Sequence, residues 1–156
     1  KVLEPIKGFL AQGLSTRKLA LGLAFGFVLG TFPVLGVSTV LCAVTAIVLK
    51  LNPAVIQLAN YLAYPLQLIL MIPYYRLGAF IFNAGQSLSF DALKKTLAVG
   101  TFKETAMMFL DATVDAVGAW LFISPLALLL LYQIVKPALA RLRFSSPKLK
   151  RVRPRI

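Results

Sequence analysis

The chain has 156 residues, 59% of them hydrophobic, with 17 basic side chains against 5 acidic ones and no histidine. A mean hydropathy of +0.83 is more than a soluble domain of this size can hide, because small domains leave much of their surface in water. Without histidine, and with Cys42 as the single cysteine, zinc sites of ordinary type, Ser-His-Asp triads and Cys-His pairs are excluded, as is an intrachain disulfide.

Residues 1–18 carry Val2, Leu3, Ile6, Phe9, Leu10 and Leu14 at helical spacing, with Lys1, Glu4, Lys7, Gln12 and Arg17 between them. This pattern predicts an amphipathic interfacial helix. Ser15 or Thr16 is placed to cap the helix that follows. The numbering starts at Lys1 rather than methionine, and the expectation is a longer natural chain in which an upstream fused domain could precede it.

A membrane domain is predicted over 19–135. Its first part, Leu19–Leu49, is 31 residues without a charge. As one straight helix it would measure about 46 Å, against about 30 Å of hydrocarbon. Phe32-Pro33 and Gly36 interrupt it, so a re-entrant or broken helix pair over 19–49 fits better than one steep span. Gly22, Gly26 and Gly30 recur at every fourth position and predict a helix-packing face. Their plainer reading is that glycine is common in membrane helices.

Asn52 and Pro53 predict a capped helix start. The stretch 53–82 is expected as a proline-broken helix, with Tyr64-Pro65 at its interruption and Tyr74, Tyr75 and Arg76 as an interface belt near its far end. Residues 83–105 are more polar and predict an amphipathic surface segment. A transmembrane helix is expected over 106–135, where Ala116–Val135 is 20 residues without a charge, enough to cross with only a kink at Ser124-Pro125. The remaining 136–156 form a basic tail holding eight of the 17 basic residues and no acid. Such a tail reads as cytoplasmic and as a contact for anionic lipid headgroups. Since a membrane anchor accounts for the cluster, no nucleic acid is expected as partner. Basic ends imply an even number of crossings: a hairpin at 19–49, one crossing at 53–82 and a return at 106–135. The predicted fold class is all-α: an integral membrane helical protein with proline-broken or re-entrant hairpin segments and short amphipathic interfacial helices.

Polar residues inside these runs are the candidates for chemistry. Gln57, Asn60, Tyr61, Tyr64 and Gln67 fall near one helical face. Amides in hydrocarbon are costly, so that face should meet protein or a wet cavity. Interhelical hydrogen bonding and a polar path for a headgroup are both open readings. Phe32-Pro33 and Tyr64-Pro65 repeat one device, an aromatic before proline in mid-run. Each could free backbone groups for an anion or form a kink satisfied locally, and paired broken helices mark binding sites in transporters. The candidate ligand-binding set is therefore Phe32, Pro33, Gly36, Gln57, Asn60, Tyr64, Pro65 and Gln67. Glu104, Asp111 and Asp115 share a face near a helix start, which suits a solvated first turn better than a metal or proton site lacking further ligands. No catalytic residue, metal or cofactor is expected, and no enzyme.

Arg17-Lys18-Leu19-Ala20-Leu21-Gly22, Phe25-Gly26, Gly30, Phe32-Pro33, Gly36 and Thr39, with Leu51-Asn52, Asn60-Tyr61, Tyr64-Pro65-Leu66 and Pro73-Tyr74-Tyr75-Arg76-Leu77-Gly78, resemble the DUF2062 family of bacterial membrane proteins. The resemblance covers about residues 15–82. Family members commonly carry asparagine where Tyr64 stands. The family has no established activity, and some relatives are fused to glycosyltransferase-like domains, which implies envelope or glycolipid metabolism by association. The resemblance implies the bacterial inner (cytoplasmic) membrane, and the basic ends put both termini in the cytoplasm. The expected function is to bind or translocate an anionic lipid or lipid-linked intermediate. The alternative is a module that anchors a membrane-associated biosynthetic enzyme. A homo-oligomer is expected, because so few membrane segments make a thin bundle.

Overall fold

Serine and asparagine caps set two of the helix starts in this chain. The computed structural model describes residues 15–82 and 102–145, all of it helix and turn. Helix α1 spans Thr16–Gly30, α2 Val37–Val48, α3 Pro53–Ile81 and α4 Phe102–Ser145. Ser15 caps α1, its hydroxyl accepting from the Lys18 N–H at 3.3 Å. Asn52 caps α3, its Oδ1 accepting from the N–H groups of Ala54 at 2.9 Å and Val55 at 3.3 Å. Pro53 then occupies the first turn, where no N–H is needed.

The charge-free stretch 19–49 is divided at Thr31–Gly36. Pro33 cannot donate to a helix ladder, and Gly36 adopts φ 82 immediately before α2. A Cβ there would meet nothing within 4 Å, so the backbone angle, not space, calls for glycine. The return turn after α2 is a Schellman motif: the Leu51 N–H reaches the Ala46 carbonyl at 2.9 Å and the Lys50 N–H reaches that of Ile47 at 3.3 Å. Its left-handed position holds Lys50 at φ 51.

The expected break within 53–82 is corrected: α3 runs through Pro65 and Pro73 as one helix of 29 residues. Each proline removes one N–H, that owed to the carbonyl four residues earlier, and helix-breaking residues are tolerated where neighbouring groups compensate. Helix α4 is also longer than expected, 44 residues containing Pro125 and Pro137. It starts inside the segment assigned to 83–105 and ends inside the tail assigned to 136–156, because Ala138, Leu139, Ala140 and Arg141 are strong helix formers. The first three residues of α1, 16–18, fall within the interfacial helix expected at 1–18. The rest of that helix, the surface segment up to residue 101 and the tail beyond residue 145 lie outside the described residues.

Helices α1 and α3 run in one direction, α2 and α4 in the other. Leu19, Ala20, Val55 and Leu139 join α1, α3 and α4 at one end. Val28, Tyr74, Ala116 and Trp120 join the same helices toward the other, and Cys42, Ala46 and Ile56 tie α2 to α3. The buried residues are largely small, including Ala20, Ala24, Ala46, Ala59, Ala63, Ala116 and Ala119. Large apolar side chains face outward, with Ile47 76%, Phe80 83% and Phe122 71% exposed. Small inside and large apolar outside is how helices pack in lipid, where side chains gain nothing by hiding from the solvent. Helices α3 and α4 are long and apolar enough to cross a membrane.

Candidate functional site

Where α1 turns into α2, three polar side chains hold the break. Gln67 of α3 is 1% exposed, and its Nε2 donates to the Phe32 carbonyl at 2.7 Å, with the Val34 carbonyl at 3.5 Å. Thr31 donates through Oγ1 to the Val28 carbonyl at 2.8 Å and accepts from Trp120 Nε1 at 3.4 Å. The Trp120 and Phe32 rings meet edge to face, centroids 5.1 Å apart. Chain reversal strips the turn carbonyls of helical partners. A side-chain amide from α3 restores one of them, which a dry interior requires.

One helical layer away, α2 and α3 share a second polar seam. Gln57 Nε2 donates to the Thr39 carbonyl at 3.0 Å. Asn60 Nδ2 donates to Thr39 Oγ1 at 3.3 Å and to Gln57 Oε1 at 3.2 Å. Among the described residues, every buried side-chain nitrogen and oxygen has a hydrogen-bond partner. The side chains of the hairpin tip thus satisfy one another, while the N-terminus of α2 at Gly36 carries no side-chain cap.

The eight candidate residues separate into groups. Phe32 and Pro33 sit in the turn with Gln67, and Gln57 and Asn60 form the seam. Gly36 lies at the exposed outer edge of the turn. Tyr64 and Pro65 are exposed on the outer surface, as is Tyr61. Successive residues of a helix are about 100° apart, so with the buried face centred on Ile56, Gln67 and Tyr74, Tyr64 falls about 80° away and Tyr61 about 140°. The expected interface belt is also divided: Tyr74 is buried, Tyr75 hydrogen-bonds Thr113 Oγ1 at 3.0 Å, and Arg76 is exposed.

Gly22, Gly26 and Gly30 lie against α3. A Cβ on Gly26 would strike the Ile56 carbonyl oxygen, one on Gly30 would lie 2.7 Å from the Ala63 Cβ, and one on Gly22 3.0 Å from a Val55 methyl. This face is thus filled from within the chain. Sequence reasoning missed its counterpart, Gly78 against the backbone of Asp115 and Ala116. It also missed Thr31, Thr39 and Trp120. An indole N–H in a charge-free run needs an acceptor, and that signal points to Trp120.

The ends of the bundle differ in charge. Arg17, Lys18 and Lys50 share one end with Lys136 and Arg141, as the packing of Leu139 on Leu19 and Val55 requires. At this end a cavity of about 200 Å³ is lined by Lys18, Leu19, Lys50, Leu51, Asn52 and Val55. Arg76, Lys103, Asp111 and Asp115 lie toward the other end. Among the described residues, no three His, Cys, Asp or Glu side chains are grouped to hold a metal.

No curated protein and no solved structure matches the chain. The model of the family described as an uncharacterized protein conserved in bacteria (DUF2062) matches residues 6–146, and the chain, a membrane protein with two long apolar helices, belongs to that family.

Proposed function

We propose that the protein binds or translocates an anionic lipid or lipid-linked intermediate in envelope metabolism, without catalysing a reaction. The observation that carries this reading is a polar line on the outer surface of α3. Exposed Tyr61 and Tyr64, flanked by half-buried Gln57 whose amide is already bonded to Thr39 and Asn60, lead from the basic end toward the hairpin tip across a surface that is otherwise apolar. Polar side chains on a lipid-facing surface are costly unless something polar meets them.

The layer geometry supports it. Ala116–Val135 of α4 measures about 30 Å and the charge-free part of α3 about 35 Å, both enough to cross the hydrocarbon core. With Lys18, Lys50 and Lys136 at one surface, the part of α1 beyond Lys18 reaches about 18 Å into the layer and α2 returns, which supports reading 19–49 as a re-entrant hairpin. The positive-inside rule favours a cytoplasmic basic end, which fits the reading of an inner-membrane protein.

The test is reconstitution into phosphatidylcholine vesicles carrying a trace of fluorescent anionic phospholipid, read with a membrane-impermeant quencher. Empty vesicles lose only outer-leaflet signal. Vesicles with protein are expected to lose all of it, more slowly when Gln57→Leu and Tyr64→Leu are combined. Folded protein that neither moves nor binds the lipid overturns the reading. The satisfied hydrogen bonds of the hairpin favour a second reading, a rigid module that positions an envelope biosynthetic enzyme. Under it the Gln57→Leu and Tyr64→Leu changes are silent. A homo-oligomer would need a surface other than the glycine face, which α3 covers.

A further inference from the structure

The cavity at the basic end has the composition of an amphiphile site. Leu19, Leu51 and Val55, all nearly fully buried, form an apolar floor, and Lys18, Lys50 and Asn52 complete the lining. The two lysines are brought to one opening because α1 and α2 form a hairpin that returns the chain to its starting level. The acidic residues of the described segments, Glu104, Asp111 and Asp115, belong to α4 at the other end of the bundle. Among the described residues no carboxylate lines the cavity beside the two exposed lysines, and an anion seated there would meet both positive charges. About 200 Å³ is room for several water molecules of about 30 Å³ each, or for one phosphate with part of its ester.

We infer that this cavity is a phosphate subsite, in which Lys18 and Lys50 hold the phosphate oxygens and the Leu19–Leu51–Val55 floor takes the adjoining apolar part of the molecule. The inference rests on the lipid-binding reading above and names the group recognised. The cavity lies at the level where the apolar run of α4 gives way to Lys136, which is the level of a lipid phosphate in a bilayer. Ammonium–phosphate contacts are charge-assisted and short, and lysine serves them as a point charge. The apolar floor favours a phospholipid headgroup over free phosphate as the source.

The test uses the full chain in zwitterionic micelles at raised salt, where distant charges are screened, and radiolabelled short-chain phosphatidic acid. The double variant K18Q/K50Q is expected to bind about tenfold more weakly or worse, as for the loss of a charge-assisted hydrogen bond. K136Q/R141Q, with the same change in charge at the same end, should bind within about twofold of wild type, because both groups lie outside the cavity. Circular dichroism checks that each variant keeps its helices. Equal weakening by both pairs means a diffuse basic surface and overturns the subsite, as does unchanged binding by K18Q/K50Q. Inorganic phosphate offered alone separates the sources: saturable binding lost in K18Q/K50Q assigns the subsite to a free anion, and no binding assigns it to the lipid. The vesicle assay reports the parent reading separately. Wild-type protein that binds phosphatidic acid through the two lysines but moves no lipid removes translocation and keeps the subsite.

Discussion

Replacing Gln67 by leucine tests how the hairpin is held. The change keeps the volume and removes the donor that reaches the Phe32 carbonyl at 2.7 Å and the Val34 carbonyl at 3.5 Å. A buried carbonyl left without a partner costs about 1–3 kcal/mol. Interhelical hydrogen bonds in membranes average about 0.6 kcal/mol and reach about 1.7 kcal/mol. The shorter contact and the burial of Gln67 place this bond at the upper end, while leucine removes the cost of burying the rest of the amide. A loss of about 1.5 kcal/mol follows, about tenfold in the unfolding equilibrium. Trp120 is the single tryptophan and packs on Phe32, so its fluorescence during detergent-driven unfolding reports the tip itself. A Gln67→Leu protein as stable as wild type refutes the view that this amide satisfies the broken turn.

Gly26→Val should cost about 2–3 kcal/mol in the same assay, because its Cβ meets backbone at Ile56 that cannot move aside, whereas Gly36→Ala should cost about 1–2 kcal/mol through its backbone angle alone. Equal costs at about 1 kcal/mol would mean that α1 and α3 can separate locally. Lys50→Gly should raise stability by about 1 kcal/mol by relieving a left-handed residue, read as a shifted unfolding midpoint; a lowered midpoint would count against the Schellman geometry. In a Cys42→Ala background, an impermeant maleimide should label Asp111→Cys on intact cells and Arg141→Cys only after permeabilisation, and the opposite pattern would reverse the proposed orientation.

The two aromatic-proline pairs show where sequence reading reached its limit. Phe32-Pro33 is followed within three residues by Gly36, which supplies the left-handed angle that lets the chain turn. Tyr64-Pro65 has no such residue nearby, and α3 continues through it. Proline removes a hydrogen bond, but reversing the chain also requires a residue able to leave the helical region. The amides divide in the same way. Spacing placed Gln57, Asn60 and Gln67 near one face, yet their acceptors lie 18, 21 and 35 residues away. No local pattern names a partner at that distance.

Charge, hydropathy and the places of proline and glycine determined that this chain is helical, that it belongs in a membrane, and that its first apolar run breaks near Phe32-Pro33. Those properties are set by chain length against bilayer thickness and by backbone angles, both local to each segment. The tertiary structure decided which polar residues serve the fold and which remain outside. It turned the glycine face inward against α3 and brought Lys18 and Lys50 to one cavity. These outcomes depend on the rotation and level at which each helix packs against another, and those are set by contacts between residues far apart in the chain.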